Sequence, residues 1–317
     1  MLKPPCSIVT GFLGSGKTTL LQHVLLEGLS GGPVAIIMNE LGEIGIDGNV
    51  ITDFQSVEKM VELNSGCVCC TISELQLGQA LNEIVEEISP LLIIIETTGI
   101  AEPGPIVGRL RTFGYNIESV VTVVDAISFP GEDVARRTIE NQIQAADFLV
   151  LNKTDGVDRD RLSEIISAIT QLNPRAHLVH TNYGRADPRL LFTAGTKKQK
   201  QSVPEGGQLP ARGHHDHRRG AGHVDTFSFS CNHPLDLDRL KAFLAQLPKE
   251  IIRAKGILRR SGDAAPLLFN YVCGRFDFRD LPNLKDPVAT QAVFIGEING
   301  ALKDNITGQL RSLELRS

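Results

Sequence analysis

The stretch from Gly11 to Thr18 constrains the fold of this chain more than any other feature of its sequence. It reads GFLGSGKT, which has the spacing G-x-x-x-x-G-K-T, and it lies between the apolar run CSIVT and a helical pattern. Glycines in this context let the backbone curl so that successive N–H groups point at a phosphate, and the following helix presents the positive end of its dipole. The sequence therefore predicts an α/β nucleotide-binding domain. The alternative, a turn that binds nothing, is disfavoured because strand, loop and helix occur in register.

The phosphate loop supplies the first set of predicted site residues. The Lys17 ammonium is expected to reach the β- and γ-phosphates, and the Thr18 hydroxyl is expected to bind Mg²⁺. Backbone N–H groups around them are expected to surround the β-phosphate. The predicted phosphate-binding residues are Gly14, Ser15, Gly16, Lys17, Thr18 and Thr19.

A second motif, Asn152-Lys153-Thr154-Asp155, follows the apolar run DFLVLN. The Asp155 carboxylate can accept hydrogen bonds from N1–H and from the 2-amino group of guanine, whereas adenine has no matching pair of donors. Asn152 is expected to brace the loop, and the Lys153 stem is expected to cover the face of the base. A solvated turn is the alternative. The position of the motif, in a later strand of the same predicted sheet as the phosphate loop, favours guanine recognition.

The run Ile93 to Gly99 (IIIETTG) has the place of the second phosphate-side motif. Many phosphate-loop proteins end this strand with Asp, whereas this chain has Glu96, whose carboxylate can hold Mg²⁺ through water. The Gly99 N–H is suited to bind a γ-phosphate and thereby to sense its hydrolysis. The alternative interpretation is a core strand followed by a helix-capping threonine. With Lys17 and Thr18, these two residues form the predicted catalytic set.

Three cysteines within four residues, Cys67, Cys69 and Cys70, form the most distinctive segment. Glu40 and Glu43 precede them in the run NELGEIGID. Thiolates with an added carboxylate suit Zn²⁺ or another borderline metal such as Co²⁺. The predicted metal ligands are therefore drawn from these five residues, with two or three of the sulfurs binding the metal and the remaining ligands coming from outside the cysteine motif. A redox pair and a set of inert buried thiols remain as alternatives.

Composition excludes several classes of protein. Lys and Arg number 32 and Asp and Glu number 37, so the formal net charge is -5, which argues against binding nucleic acid by neutralising phosphates. The purely apolar run from Leu91 to Ile95 is far shorter than the roughly 20 residues that cross a bilayer. The first residues lack the apolar stretch of a secretory signal. We therefore expect a cytoplasmic protein that contacts neither nucleic acid nor membrane, and expect the scattered Cys6, Cys231 and Cys273 to be buried.

The alternation of apolar runs with helical patterns predicts the domain organisation. Residues 1–195 carry six strand-like runs separated by helices, which predicts a doubly wound, mainly parallel α/β sheet. Residues 196–223 are polar, contain four histidines and predict a flexible linker. Residues 224–317 regain periodicity, and their patterning predicts a second, smaller α+β domain.

The motifs GFLGSGKTTL, NELGEIGID, GCVCC, ETTGIAEPGP and NKTD occur in this order, and the chain as a whole resembles the CobW-type metallochaperone GTPases. The segments IIRAKG and QAVFIGEI resemble the C-terminal domain of that family. The resemblance implies a GTPase domain followed by a small α+β domain, and GTP hydrolysis coupled to delivery of Zn or Co. We expect slow basal turnover, because no glutamine stands out as a water-positioning residue and no arginine can be assigned as a finger. It further implies that the three clustered cysteines hold the metal, and that Glu40, Glu43 and Asp47 lie in a switch segment near it.

Three functional hypotheses follow from the sequence. In the first, GTP and Mg²⁺ complete a tight metal site, and hydrolysis releases the metal to a client metalloprotein. In the second, the protein activates or assembles one metalloenzyme, such as a hydratase of the nitrile-hydratase type, through direct contact. In the third, the phosphate loop serves a phosphotransferase, but the guanine-type motif and the lack of an evident acceptor-side base argue against it.

Overall fold

A computed structural model of the protein describes most of the chain. The described residues are 3–27, 29, 32–38, 57–62, 74–131, 133–192, 225–260, 265–281 and 289–315, with only the backbone described at 57–62, 74–76 and 133–134. The predicted linker lies outside the described residues, and so do all five predicted metal ligands.

The first sheet has seven parallel strands in the order β3-β2-β4-β1-β5-β6-β7. Its strands are β1 (Cys6–Thr10), β2 (Val34–Met38), β3 (Val57–Glu62), β4 (Leu92–Glu96), β5 (Ile117–Asp125), β6 (Phe148–Asn152) and β7 (His177–His180). Its helices are α1 (Lys17–Glu27), α2 (Glu74–Ile88), α3 (Pro103–Thr112), α4 (Asp133–Gln144), α5 (Arg159–Leu172) and α6 (Pro188–Leu191), with a 3₁₀ turn at Thr154–Gly156.

Helices cover both faces of this sheet, because alternate strand residues are apolar on both sides. Val9 and Ile94 pack with α1 and α6 on one face, whereas Ile8 and Ile95 pack with α2 and α3 on the other. Both faces of β1, β2, β4 and β6 are buried along their whole length. The predicted doubly wound α/β domain is thereby confirmed.

The strand order places the predicted nucleotide motifs together at the carboxyl ends of the strands. Strand β1 lies between β4 and β5, and the chain builds outward from it in both directions. In open α/β sheets, ligands bind at the carboxyl ends of the strands where the order reverses in this way. The loops after β1, β4, β5 and β6 therefore converge on one crevice.

The second sheet has five antiparallel strands in the order β11-β10-β9-β12-β8. The strands are β8 (Asp225–Cys231), β9 (Ile251–Leu258), β10 (Leu267–Val272), β11 (Arg275–Asp280) and β12 (Thr290–Gly296), and the helices are α7 (Leu237–Ala245) and α8 (Gly300–Ser312). One face packs against both helices through a cluster that includes Phe227, Phe269 and Phe294. Asp236 and Asn299 cap the two helices by accepting backbone N–H groups. The predicted smaller α+β domain is confirmed.

Two expectations need correction. Strand β3 was not predicted, since its sequence VEKMVE alternates apolar and charged residues instead of forming an apolar run. Of the three scattered cysteines, Cys6 is fully buried, but Cys231 and Cys273 are only half-buried because they lie where strands end. In the described ranges, no helix is long and apolar enough to cross a bilayer.

Candidate nucleotide site

The phosphate loop is packed tightly between β5 and the loop after β6. Gly16 has a φ of +102°, and a Cβ at this position would lie 2.3 Å from the side-chain nitrogen of Asn152. Only glycine fits there, both for backbone conformation and for space. Contact with Asn152 therefore requires glycine at this position, in addition to any requirement that a bound phosphate would impose on the loop.

Lys17 lies inside this loop. It is 9% exposed, and its Nζ donates hydrogen bonds to the carbonyl oxygens of Gly11 and Phe12 at 3.0 and 3.3 Å. Burial lowers the pKa of the Lys17 ammonium, and the nearby Glu96 carboxylate acts in the opposite direction. A concentrated positive charge at the centre of the loop suits a polyphosphate ligand.

The Thr18 hydroxyl and the Glu96 carboxylate lie together beside the loop. Thr18 Oγ1 donates to Glu96 Oε1 at 3.3 Å, and Glu96 is 6% exposed at the end of β4. A hydroxyl and a carboxylate are hard oxygen donors of the kind that Mg²⁺ prefers. The donor chemistry of this pair therefore fits the predicted Mg²⁺, with Thr18 and Glu96 as the residues that would hold it.

The loop after β4 is held against the phosphate loop. A Cβ at Gly99 would lie 2.5 Å from the backbone nitrogen of Leu13, so only glycine permits this approach. The buried side chain of Gln142, in α4, donates to the carbonyl oxygens of Gly99 and Ala101 at 3.1 and 3.0 Å. Sequence reasoning missed Gln142, because a glutamine in an amphipathic helix carries no spacing signal.

Asn152 joins three loops of the site. It is 2% exposed; its Nδ2 donates to the Ser15 carbonyl at 3.0 Å, and its Oδ1 accepts the Gly184 N–H at 3.1 Å. A buried amide whose donor and acceptor are both satisfied fixes the segments that it connects. The structure therefore gives Asn152 the bracing position that the sequence predicted for it.

Lys153 and Asp155 lie at the mouth of the crevice. Lys153 adopts a left-handed backbone conformation, with φ of +59°, and its Nζ donates to the Gly14 carbonyl at 2.8 Å and to Asp125 Oδ2 at 2.7 Å. The Asp155 side chain is exposed. The Asp155 N–H donates to Asn182 Oδ1 at 3.0 Å, which fixes its backbone. The lysine thus crosses the phosphate loop, and the aspartate presents its carboxylate to solvent.

Sequence reasoning missed two further residues that contact the base loop, which comprises Asn152 to Asp155. Asp125 ends β5 and accepts hydrogen bonds from Lys153, from the Ser128 hydroxyl and from the Ile127 N–H. Asn182 follows β7 and accepts from the Thr154 hydroxyl at 2.8 Å as well as from Asp155. Their signal was present, since Asp125 is the last residue of β5 and Asn182 follows β7 by two residues, and both strands pair with β6.

The predicted metal ligands Cys67, Cys69, Cys70, Glu40 and Glu43 lie outside the described residues. Across the ranges that the structure does describe, no group of three or more His, Cys, Asp or Glu side chains could hold a metal ion. The described structure therefore supplies a nucleotide site, and the assignment of the metal ligands stays a prediction.

Comparison with known proteins adds to this geometry. Residues 5–180 match the family model "CobW/HypB/UreG, nucleotide-binding domain", which covers more than half of the chain. The chain belongs to the CobW/HypB/UreG family. Residues 224–314 match a second model, "Cobalamin synthesis protein cobW C-terminal domain". The matched nucleotide-binding domain contains the phosphate loop described above, and a relative in this similarity is named a GTPase; the protein is accordingly a GTPase.

Three relatives illustrate the similarity. A protein of Pseudomonas aeruginosa named zinc chaperone CobW is 30% identical, over 94% of this chain and 88% of its own length. The zinc chaperone YjiA of Escherichia coli is 30% identical, over 84% of this chain and 85% of its own length. A zinc-regulated GTPase metalloprotein activator of Schizosaccharomyces pombe is 36% identical, over 58% of this chain and 47% of its own length.

Proposed function

We propose that this protein is a metallochaperone that binds Zn²⁺ or Co²⁺ through the Cys67–Cys70 segment and releases the metal to a client protein when GTP is hydrolysed. The family membership and the names of the relatives support the general role, and zinc is the metal in those names. Thiolate and carboxylate donors suit either metal. We place this activity in the cytoplasm, where reduced thiols persist.

The observation that carries the proposal is the parallel course of β2, β3 and β4. Met38 at the end of β2 pairs with Glu62 at the end of β3, and β2 also pairs with β4, which ends in Glu96. The chain therefore leaves β2 and β3 at the carboxyl end of the sheet, where Thr18 and Glu96 lie. Cys67 follows Glu62 by only five residues, a reach of at most about 18 Å. This short connection limits how far Cys67 can lie from the carboxyl end of β3, and it supports a metal site near the nucleotide.

The described residues account for the nucleotide half of this activity. We expect Lys17 to neutralise phosphate charge, Asp155 to accept hydrogen bonds from guanine while Asn152 braces the loop, and the Gly99 N–H to bind a γ-phosphate. When bound, Mg²⁺ neutralises charge that develops on the β- and γ-phosphates. We expect slow basal turnover, because no glutamine of the sequence stands out as a water-positioning residue, and Gln142, which lies near Gly99, uses its amide to hold two backbone carbonyls.

The test is the affinity for Zn²⁺ in the presence of a non-hydrolysable GTP analogue and of GDP. We expect tighter binding with the analogue, and an equal effect of Zn²⁺ on nucleotide affinity, because coupling between two ligands is reciprocal. The double variant Cys67→Ser with Cys69→Ser should lose the coupling while retaining GTP binding, whereas Cys231→Ser, remote from the site, should not. Equal zinc affinity in both nucleotide states would refute the release mechanism.

A second candidate is a dedicated activator of one metalloenzyme, such as a hydratase of the nitrile-hydratase type. The similarity to a zinc-regulated GTPase metalloprotein activator favours this role. The site chemistry would be the same, but one apo-enzyme would form a stable complex with the protein. Recovery of that single enzyme, and its activation by this protein with GTP and metal, would distinguish the dedicated role from general metal supply.

A further inference from the structure

A cleft of about 710 Å³ separates the two domains on the side of the protein away from the nucleotide crevice. The parallel domain contributes one wall, which includes Pro5, Leu91 and Phe192, and the second sheet contributes the other. Its volume lies in the range of about 300–1,000 Å³ that ligand sites usually have. The cleft is therefore large enough to hold a ligand or a short peptide.

The wall from the second sheet is the face that α7 and α8 leave uncovered. Strand residues alternate between the faces, so Phe269 and Phe294 point to the helices while Leu268 and Val293 line the cleft. Val293 is 38% exposed although it lies in the middle of β12. A group of apolar side chains exposed in this way marks a binding surface.

A buried pair of charged side chains also lines this cleft. Glu118 is 1% exposed and Arg253 is 3% exposed, and they approach each other only to 3.6 Å. Within the described residues, both carboxylate oxygens of Glu118 and the Nε and Nη1 of Arg253 make no hydrogen bond. Buried polar atoms in this condition are costly, and they gain from a ligand that brings both donors and acceptors.

Charge decides which ligand fits. The charged residues that line the cleft are Lys3, Arg189, Arg253, Lys255 and Arg279 on the basic side, and Glu118 on the acidic side. Lys3 and Arg189 are held by Phe113 and Asp187, and Lys255 lies 3.7 Å from Glu118. Asp187 and Asp277 lie beside these basic residues, Asp277 near both Lys255 and Arg279, but basic side chains still outnumber the carboxylates, which favours an acidic ligand.

The chain's own linker is a poor match for the cleft. It connects Phe192 with β8, and both Phe192 and Thr226 line the cleft, so its attachment points are close at hand. Residues 193–224, however, contain six Lys or Arg and two Asp or Glu. Charge repulsion from the basic side chains of the cleft therefore favours an acidic segment of another molecule over this linker.

We propose that the cleft binds an extended, acidic peptide segment of a partner protein, in which apolar side chains alternate with Glu or Asp. The apolar side chains would pack against the Leu268–Val293 wall, and the carboxylates would pair with Lys255 and Arg279. The peptide N–H and C=O groups would satisfy Glu118 and Arg253 after a rotation of these side chains toward the cleft. The inference rests on the proposed function, since it supplies a docking point for the client.

The test uses the full-length protein and three fluorescein-labelled heptapeptides in which Leu alternates with Glu, Lys or Ser. Fluorescence anisotropy should show that the Glu peptide binds at least about tenfold more tightly than the other two, and that added salt weakens its binding. The double variant Lys255→Glu with Arg279→Glu should lose this binding and instead gain affinity for the Lys peptide. That gain shows that the variant is folded.

Arg239→Glu is the matched control, because Arg239 is an exposed arginine on α7, the opposite side of the second sheet. It should bind the Glu peptide as the unchanged protein does. The inference is overturned if the three peptides bind equally, if Arg239→Glu has the same effect as the double variant, or if a single-stranded oligonucleotide binds and the Glu peptide does not. GTP-dependent zinc affinity reports on the proposed function separately, because it does not involve Lys255 or Arg279.

Discussion

Lys153 is the residue at which the base loop, the phosphate loop and β5 meet. Its ammonium contacts the Gly14 carbonyl and the Asp125 carboxylate, and its backbone has a left-handed conformation that few residues adopt. Strained backbone of this kind persists only where surrounding contacts hold it. Asp125 is the charged member of those contacts, and it is therefore a positioning residue for guanine binding.

Replacement of Asp125 by Asn should weaken GTP binding. The variant keeps an acceptor for the Ile127 N–H but loses the charge that holds Lys153, which is 38% exposed and so partly screened by solvent. We expect a loss of about 1 kcal/mol, or roughly fivefold in Kd. Titration with a fluorescent GTP analogue measures this. Asp160→Asn on the exposed start of α5 is the control, and an equal effect of both variants would contradict the assigned role.

Replacement of Asp155 by Asn should change which base is bound. A carboxylate only accepts hydrogen bonds, whereas an amide also donates, and xanthine carries a carbonyl where guanine carries its 2-amino group. GTP binding should fall by at least about tenfold, and binding of xanthosine triphosphate should increase. Competition between the two nucleotides measures the change. A parallel loss of both would show that Asp155 has only a structural role.

At the scale of elements, we expect strand β7 to respond to acid. It is an edge strand with His177 and His180, and burial lowers the pKa of both imidazoles below the usual 6.5. The folded protein therefore keeps them neutral at a pH where the unfolded chain protonates them. Above about pH 6.5 the imidazoles are neutral in both states and do not reduce stability. The free energy of unfolding decreases as the pH falls below that value, because the unfolded chain then binds more protons.

The thermal midpoint should accordingly decrease on acidification from neutral pH to below 6, and His177→Gln should reduce that decrease. His177 lies edge-on to the ring of Phe148, so the variant is compared with itself across pH and not with the unchanged protein at one pH. His233→Gln, at an exposed position before α7, serves as the control. An unchanged pH profile in His177→Gln would show that the acid response arises elsewhere.

Which elements could be predicted from sequence depended on how completely they are buried. Strands β1, β4 and β6 have apolar side chains on both faces, so an unbroken apolar run indicates them. Strand β3 pairs only with β2, and its alternation of Glu and Lys with Val and Met gives no such run. The motif residues were predictable because phosphate and guanine fix their spacing. Asp125, Gln142 and Asn182 contact protein atoms, and no ligand fixes their spacing in the sequence.

At the scale of the whole molecule, charged side chains connect the two domains. Arg275 contacts Asp147 at 2.6 Å, and Arg253 lies over the ring of Phe148 and near Glu118. Burial raises the pKa of Asp147, while the Arg275 guanidinium opposes that shift. Ile252 and Val272 of the second sheet also join the apolar cluster around α1. The seam is thus apolar in part; the Glu118–Arg253 pair within it is buried, whereas Arg275 of the other pair is 40% exposed.

Removal of one member of the Glu118–Arg253 pair should be costly. Arg253→Met leaves Glu118 buried with only Lys255 nearby, and we expect a loss of about 3 kcal/mol in the free energy of unfolding. The double variant Glu118→Gln with Arg253→Met removes both charges and should recover much of that loss. Urea titration of both single variants and the double variant measures the coupling. Strictly additive effects would show that the two side chains do not interact.

Strand β6 contacts both the second domain and the phosphate loop. Its first residue, Phe148, lies under Arg253 of the second domain, and its last residue, Asn152, braces the phosphate loop. These two residues are the ends of a five-residue strand, so they lie only about 13 Å apart, and the strand is hydrogen-bonded to strands on both sides. The second domain thus packs against the first residue of the same short strand whose last residue holds the guanine loop. A truncation that removed this domain would leave Phe148 without its contact to Arg253.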